Sequence, residues 1–260
     1  DQPGGQLRLA ARVPRRRELI GIVDWRLARC TDAGVALRFN SYVGAEEVLA
    51  EAPEVVVVAT GGLPNTEIFP GAELAASSWD ILTGDAPVGG TVLLYDDNAA
   101  HPGLAAAETI AEAGATLEIV TPERFFAVDV GGLNHQAYAR CFDRHGVRLT
   151  ISKRVVAAER AGNRLQVTLG SDYSDRVETR EVDQLVVEHG TLPLDDLYFD
   201  LKPLSANLGA VDYDALTAGR PQETVRNPDG RFRLYRIGDA VASRNVHAAI
   251  YDALRLCKDV

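Results

Sequence analysis

The chain has 260 residues, enough for one large domain or two ordinary ones, and its 46% hydrophobic and 25% charged content is that of a folded globular protein. This excludes a disordered, collagen-like or disulfide-scaffold chain. A formal net charge of −10 argues against a nucleic-acid or acidic-membrane partner, and no apolar run approaches the roughly 20 residues that a bilayer crossing needs. Cys30, Cys141 and Cys257 lie far apart and form neither a CxxC pair nor a metal spacing, so a reducing, cytoplasmic compartment is expected. The chain contains no methionine, and Asp1 is too large to follow a trimmed initiator. Asp1 is therefore expected to be an internal residue of a longer polypeptide.

Taken in order, Pro3-Gly4-Gly5-Gln6-Leu7 reads as a glycine turn. Residues 15–30 read as a helix, with Leu19, Ile20, Val23, Leu27 and Cys30 on one face and arginines on the other. Residues 35–39 alternate like a short strand, and 45–52 suit a short helix. The run from Val55 to Val58, leading into Ala59-Thr60-Gly61-Gly62, predicts a parallel strand buried on both faces and closed by a glycine turn. Residues 63–90, rich in Pro, Gly, Ala and Ser, read as a linker. A strand over 92–95, a helix over 104–113 and a strand over 116–120 then make a unit of about 30 residues, the size of half a dinucleotide fold. A helix is expected over 134–145 and strands over 147–151, 155–160, 164–169 and 181–187, with Ala161-Gly162-Asn163 as a hairpin turn. Residues 190–211 look irregular. The strand Phe232–Ile237 runs into Gly238-Asp239, and a closing helix spans 245–258.

Alternation of strands and helices predicts an α/β protein with a mainly parallel sheet. The glycine turns at Gly61 and Gly238 lie far apart, with a complete unit between them, so one domain is expected to be begun, interrupted and finished at the C-terminus. Glycine after a buried strand suits either passage of a cofactor or a tight turn. Gly238-Asp239 suits either a polyol- and phosphate-binding strand end or a residue at the start of the last helix. The loop Tyr95-Asp96-Asp97-Asn98-Ala99-Ala100-His101-Pro102-Gly103 stands where a nicotinamide-binding unit carries GxGxxG. Two carboxylates and a proline there oppose a pyrophosphate. A metal or polar-ligand site on Asp96, Asp97 and His101 is the weaker alternative. His135, His145 and His189 show no evident partner, and His247 faces either a cofactor or solvent. Arg15–Arg17 form a basic spot that suits a solvated helix start or a docking role. No GxSxG, HExxH or Walker pattern occurs, and no catalytic or metal-ligating residue is assigned.

Together the opening Pro-Gly-Gly-Gln-Leu, the Ala-Thr-Gly-Gly turn, the Asp-Asp loop and Ile-Gly-Asp-Ala with its closing helix resemble the C-terminal half of the trimethylamine dehydrogenase and 2,4-dienoyl-CoA reductase family of NADH:flavin oxidoreductases. The stretch from Val186 to Lys258 is most similar to N-methylproline and dimethylglycine demethylases. The resemblance implies tandem Rossmann-like domains, the second inserted in the first, with the first lacking its N-terminal βαβ unit. The implied boundaries are 1–85 with 215–260 for a partial FAD- or ADP-binding domain and 86–214 for an NAD(P)-binding-like one. It implies that Gly4, Gly5, Gln6, Thr60 and Gly61 border the dinucleotide, that Tyr42 and Val43 touch its adenine, and that Gly238 and Asp239 contact its ribityl-phosphate portion. FMN, the substrate and an iron–sulfur cluster are expected outside this chain, in an N-terminal barrel of the same polypeptide. NAD(P) binding is disfavoured by the Asp-Asp loop. An electron-transfer protein and a homo-oligomer are the further partners expected. The chain then serves electron transfer and scaffolding in an amine N-demethylase. A stand-alone NAD(P)H-dependent flavoprotein reductase and a non-catalytic assembly module are the alternatives.

Overall fold

The computed structural model describes residues 2–258, so Asp1 lies outside the described residues. The N-terminal elements are α1 (Gln6–Ala10), a 3-10 helix (Pro14–Ile20), α2 (Gly21–Asp32), α3 (Ala45–Ala50), β1 (Val55–Val58) and β2 (Gly62–Pro64). Next come a 3-10 turn (Ala72–Leu74), β3 (Ala76–Ser77), α4 (Ser78–Thr83), β4 (Thr91–Asp96), α5 (His101–Glu112), β5 (Thr116–Val120), α6 (Gly132–Arg144) and β6 (Arg148–Thr150). Strands β7 (Arg154–Ala161), β8 (Arg164–Ser171), β9 (Ser174–Val182), β10 (Gln184–Glu188) and β11 (Thr191–Pro193) follow. The chain closes with α7 (Asp196–Leu201), α8 (Tyr213–Ala218), β12 (Arg233–Arg236), a 3-10 turn (Gly238–Ala240) and α9 (Val246–Leu256). The protein is α/β, and no described helix is long and apolar enough to cross a membrane.

Two compact units result. The larger comprises Pro3–Val35 and Pro64–His189, and the smaller holds Ala36–Leu63 and the chain from Gly190 onward. These divisions differ from the expected 1–85, 86–214 and 215–260. The reason for the N-terminal difference is α5, whose alanines bury both of its faces. Val13 and Leu9 pack with Leu104, Ala107 and Ile110 in one core cluster, and Arg15 Nε lies 3.0 Å from the Glu108 carboxylate of α5. Segment 3–35 is thus a lid on α5.

The larger unit is built on a five-stranded parallel sheet ordered β3-β10-β4-β5-β6. Its central strand, β4, is buried on both sides. Val92 and Leu94 join Leu104 and Ile110 of α5 and Tyr138 and Phe142 of α6. Leu93 and Tyr95 join Val155, Val167 and Leu169 of an antiparallel sheet, β7-β8-β9. Period-two side-chain direction explains the split. Each fully buried leucine contributes on the order of 2 kcal/mol. The expected linker over 63–90 instead carries β2, β3 and α4. A capping box starts α4: Asp80 N–H donates to Ser77 Oγ at 3.2 Å and Ser77 N–H to Asp80 Oδ2 at 2.7 Å. The 181–187 strand is two strands, with β9 ending at Val182 and β10 beginning at Gln184. The hairpin turn stands as expected, with Gly162 at φ 66° between β7 and β8.

In the smaller unit β1 and β12 pair in parallel, Val55 opposite Arg233 through Val58 opposite Arg236. β1 is only half-buried apart from Val58, contrary to the expectation of burial on both faces, because β12 is its one strand neighbour among the described residues. The far edge of β12 is closed by the buried Asn207. Its amide donates to Leu234 O at 2.9 Å, and its Oδ1 accepts from Leu234 N–H at 2.9 Å. The core gathers Val58, Tyr198, Leu201, Phe232, Leu234 and Ala240. The irregular stretch expected over 190–211 contains β11 and α7. Residues 35–39 form no strand and lie exposed. The helix expected over 15–30 begins as a 3-10 helix behind Pro14 and becomes α-helical at Gly21.

Candidate functional site

Parallel pairing of β1 with β12 sets the two glycine turns side by side at the carboxyl end of one sheet. Ile237 N–H donates to Val58 O at 3.0 Å, so Thr60-Gly61 and Gly238-Asp239 leave the sheet together. Gly61 and Gly238 have φ of 75° and 62°, a region glycine adopts without strain. A Cβ on Gly61 would meet nothing within 4 Å, whereas one on Gly238 would press Ala249 Cβ of α9 at 3.3 Å. Gly238 therefore lets α9 approach, and Gly61 leaves the sheet end open. Thr60 Oγ1 donates to Leu194 O, and Leu194 N–H donates to Gly61 O at 3.0 Å, which ties the first turn to β11.

Asp239 is held by Arg244 N–H at 3.1 Å and by the Thr191 hydroxyl at 3.3 Å. Arg244 also reaches Gly238 O at 3.1 Å and pairs with Asp252, whose Oδ2 accepts from Gly238 N–H at 3.0 Å. Asp239 is not the cap of the last helix. That role belongs to Asn245, whose Oδ1 accepts from Ala248 N–H at 3.0 Å. The helix does not follow Gly238-Asp239 directly, since these residues open a 3-10 turn that ends at Ala240 and five further residues precede α9. A half-buried carboxylate beside two glycine turns fits one half of a polyol- and phosphate-binding cradle. Tyr42 and Val43 belong to the same unit, on an exposed segment before α3. Gly4, Gly5 and Gln6 belong to the larger unit, at the start of α1. Gly4, at φ 115°, packs on Val23 there.

The larger unit has its own sheet end, at β4 and β10, where the strand order reverses. This is the usual ligand position in such sheets. It is filled by carboxyl groups. Asp96 and Glu188 lie in register and are 3% and 5% exposed. Glu188 accepts from the Ser78 hydroxyl and from Asn98 Nδ2 at 2.9 Å. Asp96 Oδ1 accepts from Ala99 N–H at 2.9 Å, which requires Ala99 to adopt φ 53°. A Cβ on Gly103 would lie 2.5 Å from the Asp96 carboxyl, so this glycine admits that carboxyl to the first turn of α5. Burial, then the Glu188 charge, holds the Asp96 acid well above the usual carboxylate range. Asp97 turns away and pairs with His189. His101 Nδ1 lies 3.1 Å from Tyr138 Oη. Asp96, Asp97 and His101 thus serve three separate partners and form no metal cluster.

Burial, then Arg16 and Arg15, lowers His101 to about 4. Among the described residues, Glu108, Glu112 and Cys141 bring potential metal-ligating atoms within 4.8 Å of one another, but Glu108 is already neutralised by Arg15. Sequence reasoning missed the partners of Asp239 and the Glu188-His189 pair. The signal for the second was present: Val186-Val187-Glu188-His189-Gly190 is another apolar strand ending in polar residues and glycine.

Similarity to known proteins extends along the whole chain. "Probable N-methylproline demethylase" of Rhizobium meliloti (strain 1021) is 53% identical over 259 residues, 99% of this chain and 38% of that protein. "N,N-dimethylglycine/sarcosine dehydrogenase" of Chromohalobacter salexigens is 38% identical over 271 residues, 100% of this chain and 39% of that protein. A solved structure of 2-naphthoyl-CoA reductase with 2-naphthoyl-CoA superposes with a TM-score of 0.78 at 22% identity, covering 100% of this chain and 35% of that one. That likeness shows a shared fold. The chain spans less than two fifths of the length of the demethylase it matches, and no protein-family model matches it.

Proposed function

The chain belongs, as a segment, to the NADH:flavin oxidoreductase family of the N-methylproline and dimethylglycine demethylases, and from this premise we propose that it is the nucleotide-binding, electron-transfer and scaffold portion of a flavin-dependent amine N-demethylase. The observation that carries the proposal is the side-by-side exit of Thr60-Gly61 and Gly238-Asp239 from the paired strands β1 and β12. The smaller unit is one half of a Rossmann-like domain for FAD or ADP. The open edge of β1 takes a strand from a βαβ unit elsewhere in the full-length polypeptide. Gly61 and Gly238 let the dinucleotide cross the sheet end, Asp239 accepts hydrogen bonds from its hydroxyls, and Tyr42 and Val43 border its adenine.

FMN, in a barrel elsewhere in the same cytoplasmic polypeptide, would supply the amine oxidation, and an iron–sulfur cluster outside this chain would supply a route for the electrons to a partner protein. The larger unit is a second Rossmann-like domain that supports this assembly. NAD(P) binding is disfavoured there, because the Asp96 carboxyl packs on Gly103 in the first turn of α5 and Pro102 removes one N–H that a pyrophosphate would use. When bound, FAD would supply an electron carrier and ADP a structural element.

The test is Asp239→Ala in the full-length enzyme, with bound nucleotides released and quantified. Retention of FAD or ADP falls by more than half while FMN stays constant. Unchanged dinucleotide content would reject the cradle in favour of a pure assembly module. Tight stoichiometric NADH binding to this chain would favour a stand-alone reductase instead.

A further inference from the structure

Two buried alanines of the larger unit hold a backbone conformation that a side chain disfavours, and they stand on successive strand-end loops. Ala99 follows β4 with φ 53°, and Ala127 follows β5 with φ 61°. A residue with a Cβ is uncommon at positive φ, because the Cβ crowds the following carbonyl oxygen. Strain of this kind persists only where the surroundings over-determine it, and it gathers at switch regions.

The surroundings of the first loop are hydrogen bonds to two acidic residues. Asp97 N–H donates to Glu188 O at 3.3 Å, Asn98 Nδ2 to Glu188 Oε1 at 2.9 Å, and Ala99 N–H to Asp96 Oδ1 at 2.9 Å. The loop is thus pinned at three successive residues. Ala99 carries the connection onward. Its carbonyl accepts from Asp129 N–H at 3.1 Å, and Val130 N–H closes the second loop on Ala127 O at 3.0 Å. Ala127 and Val130 share a core cluster with Leu104 of α5 and Tyr138 of α6. One strained residue is therefore bonded through its N–H to the Asp96 carboxyl and through its C=O to the second loop.

The pin sits where a charge is costly. The Asp96 carboxyl is wedged against Gly103 of α5, and Glu188 stands opposite in register on β10. The charges acting on Asp96 are those of Glu188 and, on its own loop, Asp97, which pairs with His189. Helix α4 presents the uncharged Ser78 hydroxyl to Glu188, and His101 in the first turn of α5 turns to Tyr138. The N–H groups of Ala99 and Asn98 favour an ionised Asp96, but burial and the Glu188 charge outweigh them. A charged Asp96 gains by leaving the Gly103 contact for water, and Ala99 then loses the bond that holds its turn.

We propose that residues 97–100 and 124–131 form one latch on the sheet end of the larger unit, with the Asp96 carboxyl as its pin: shut while that carboxyl is neutral, and open in both loops together once it is charged. The latch lies within one unit and does not depend on the dinucleotide reading of the other.

The test is hydrogen exchange resolved to single amides, on the full chain from about pH 5 to about pH 9, with the Asp96→Asn variant beside it at each pH. The pairing cancels the intrinsic pH dependence of exchange. Asparagine keeps the acceptor for Ala99 N–H and cannot be charged. By about pH 9 the protection of Ala99 and Asp129 should fall at least about tenfold below that of Asp96→Asn, by the same factor at both, while Val167 in the β8 core keeps its value. Asp96→Ala removes the acceptor outright and should open both loops at every pH; should it fail to fold, the native chain against Asp96→Asn decides alone. Equal Asp129 protection in those two proteins throughout, loss at Ala99 without loss at Asp129, an equal loss at Val167, or loops that stay protected in a folded Asp96→Ala would overturn the latch.

Discussion

The molecule contains two parallel-sheet ends of the same kind, and they are finished in opposite ways. In the smaller unit, β1 and β12 end in Gly61 and Gly238, the turns have positive φ, and a side chain added at Gly61 would meet open space. In the larger unit, β4 and β10 end in Asp96 and Glu188, both buried, with Gly103 admitting the Asp96 carboxyl to α5. Glycine plays contrary roles at the two places. At Gly61 it keeps a space that an incoming group can use; at Gly103 it makes room for a group the protein already owns. An exposed strand-end glycine is therefore weak evidence of a ligand until its neighbours are known.

Adding one methyl at each place gives the largest expected contrast. Gly103→Ala would drive a Cβ to 2.5 Å from the Asp96 carboxyl. Overpacking of this kind costs about 3 kcal/mol, even though alanine is the better helix former. Gly61→Ala meets no atom and should lose only the roughly 1 kcal/mol of placing alanine at positive φ. Urea denaturation of both variants measures the difference. Adding Asp96→Ala to Gly103→Ala should recover much of the loss, as expected of two residues sharing one space. Equal destabilisation by the two glycine variants would show that the larger unit's sheet end is not closed as described.

A smaller change of opposite sign follows from charge. Asp96 holds its proton in the folded protein well above the usual carboxylate range, through burial and then the Glu188 charge. An unfolded chain releases that proton near pH 4. Below that pH the group is protonated in both states and does not affect the balance. As pH rises toward the folded value, the unfolded state sheds its proton first, and stability falls. Asp96→Asn keeps the acceptor for Ala99 N–H and removes the titration. It should raise the melting temperature at neutral pH and leave it unchanged near pH 3. A lower melting temperature at neutral pH would mean that Asp96 is ionised in the fold.

Much of this contrast was legible in the residues themselves. Val55–Val58 and Phe232–Ile237 read as strands ending in glycine, and the β4–α5–β5 unit read almost to its boundaries. Features set by distant partners were not legible. Strand β9, Ser174–Val182, is polar and mostly exposed, and it is a strand because it pairs with β8. Helices α7 and α8 are six residues each, too short to show periodicity. The assignment of Pro3–Val35 to the larger unit rests on Val13 entering the α5 core and on Arg15 meeting Glu108, pairings that no spacing announces. The Glu188 contribution to the closed end was missed because it arrives from a strand more than eighty residues downstream of Asp96.

The subtlest expected effect lies at the start of α5, next to the closed end. His101 is half-buried against Tyr138, and burial, then Arg16 and Arg15, lowers it to about 4. An unfolded histidine binds its proton near 6.5. Between those values the unfolded state binds more protons than the folded state, so stability declines as pH falls from about 6.5 toward about 4 and levels off below that. Asp96 acts in the other direction over part of the same range, and the two slopes oppose each other in the native chain. His101→Gln in an Asp96→Asn background isolates the histidine: the residual acid-side decline in melting temperature should flatten, and imidazole resonances of the His101-containing protein should titrate well below 6.5. A histidine titrating at its ordinary value would show that the first turn of α5 is solvated, and that the larger unit's sheet end is less sealed than its buried carboxyls imply.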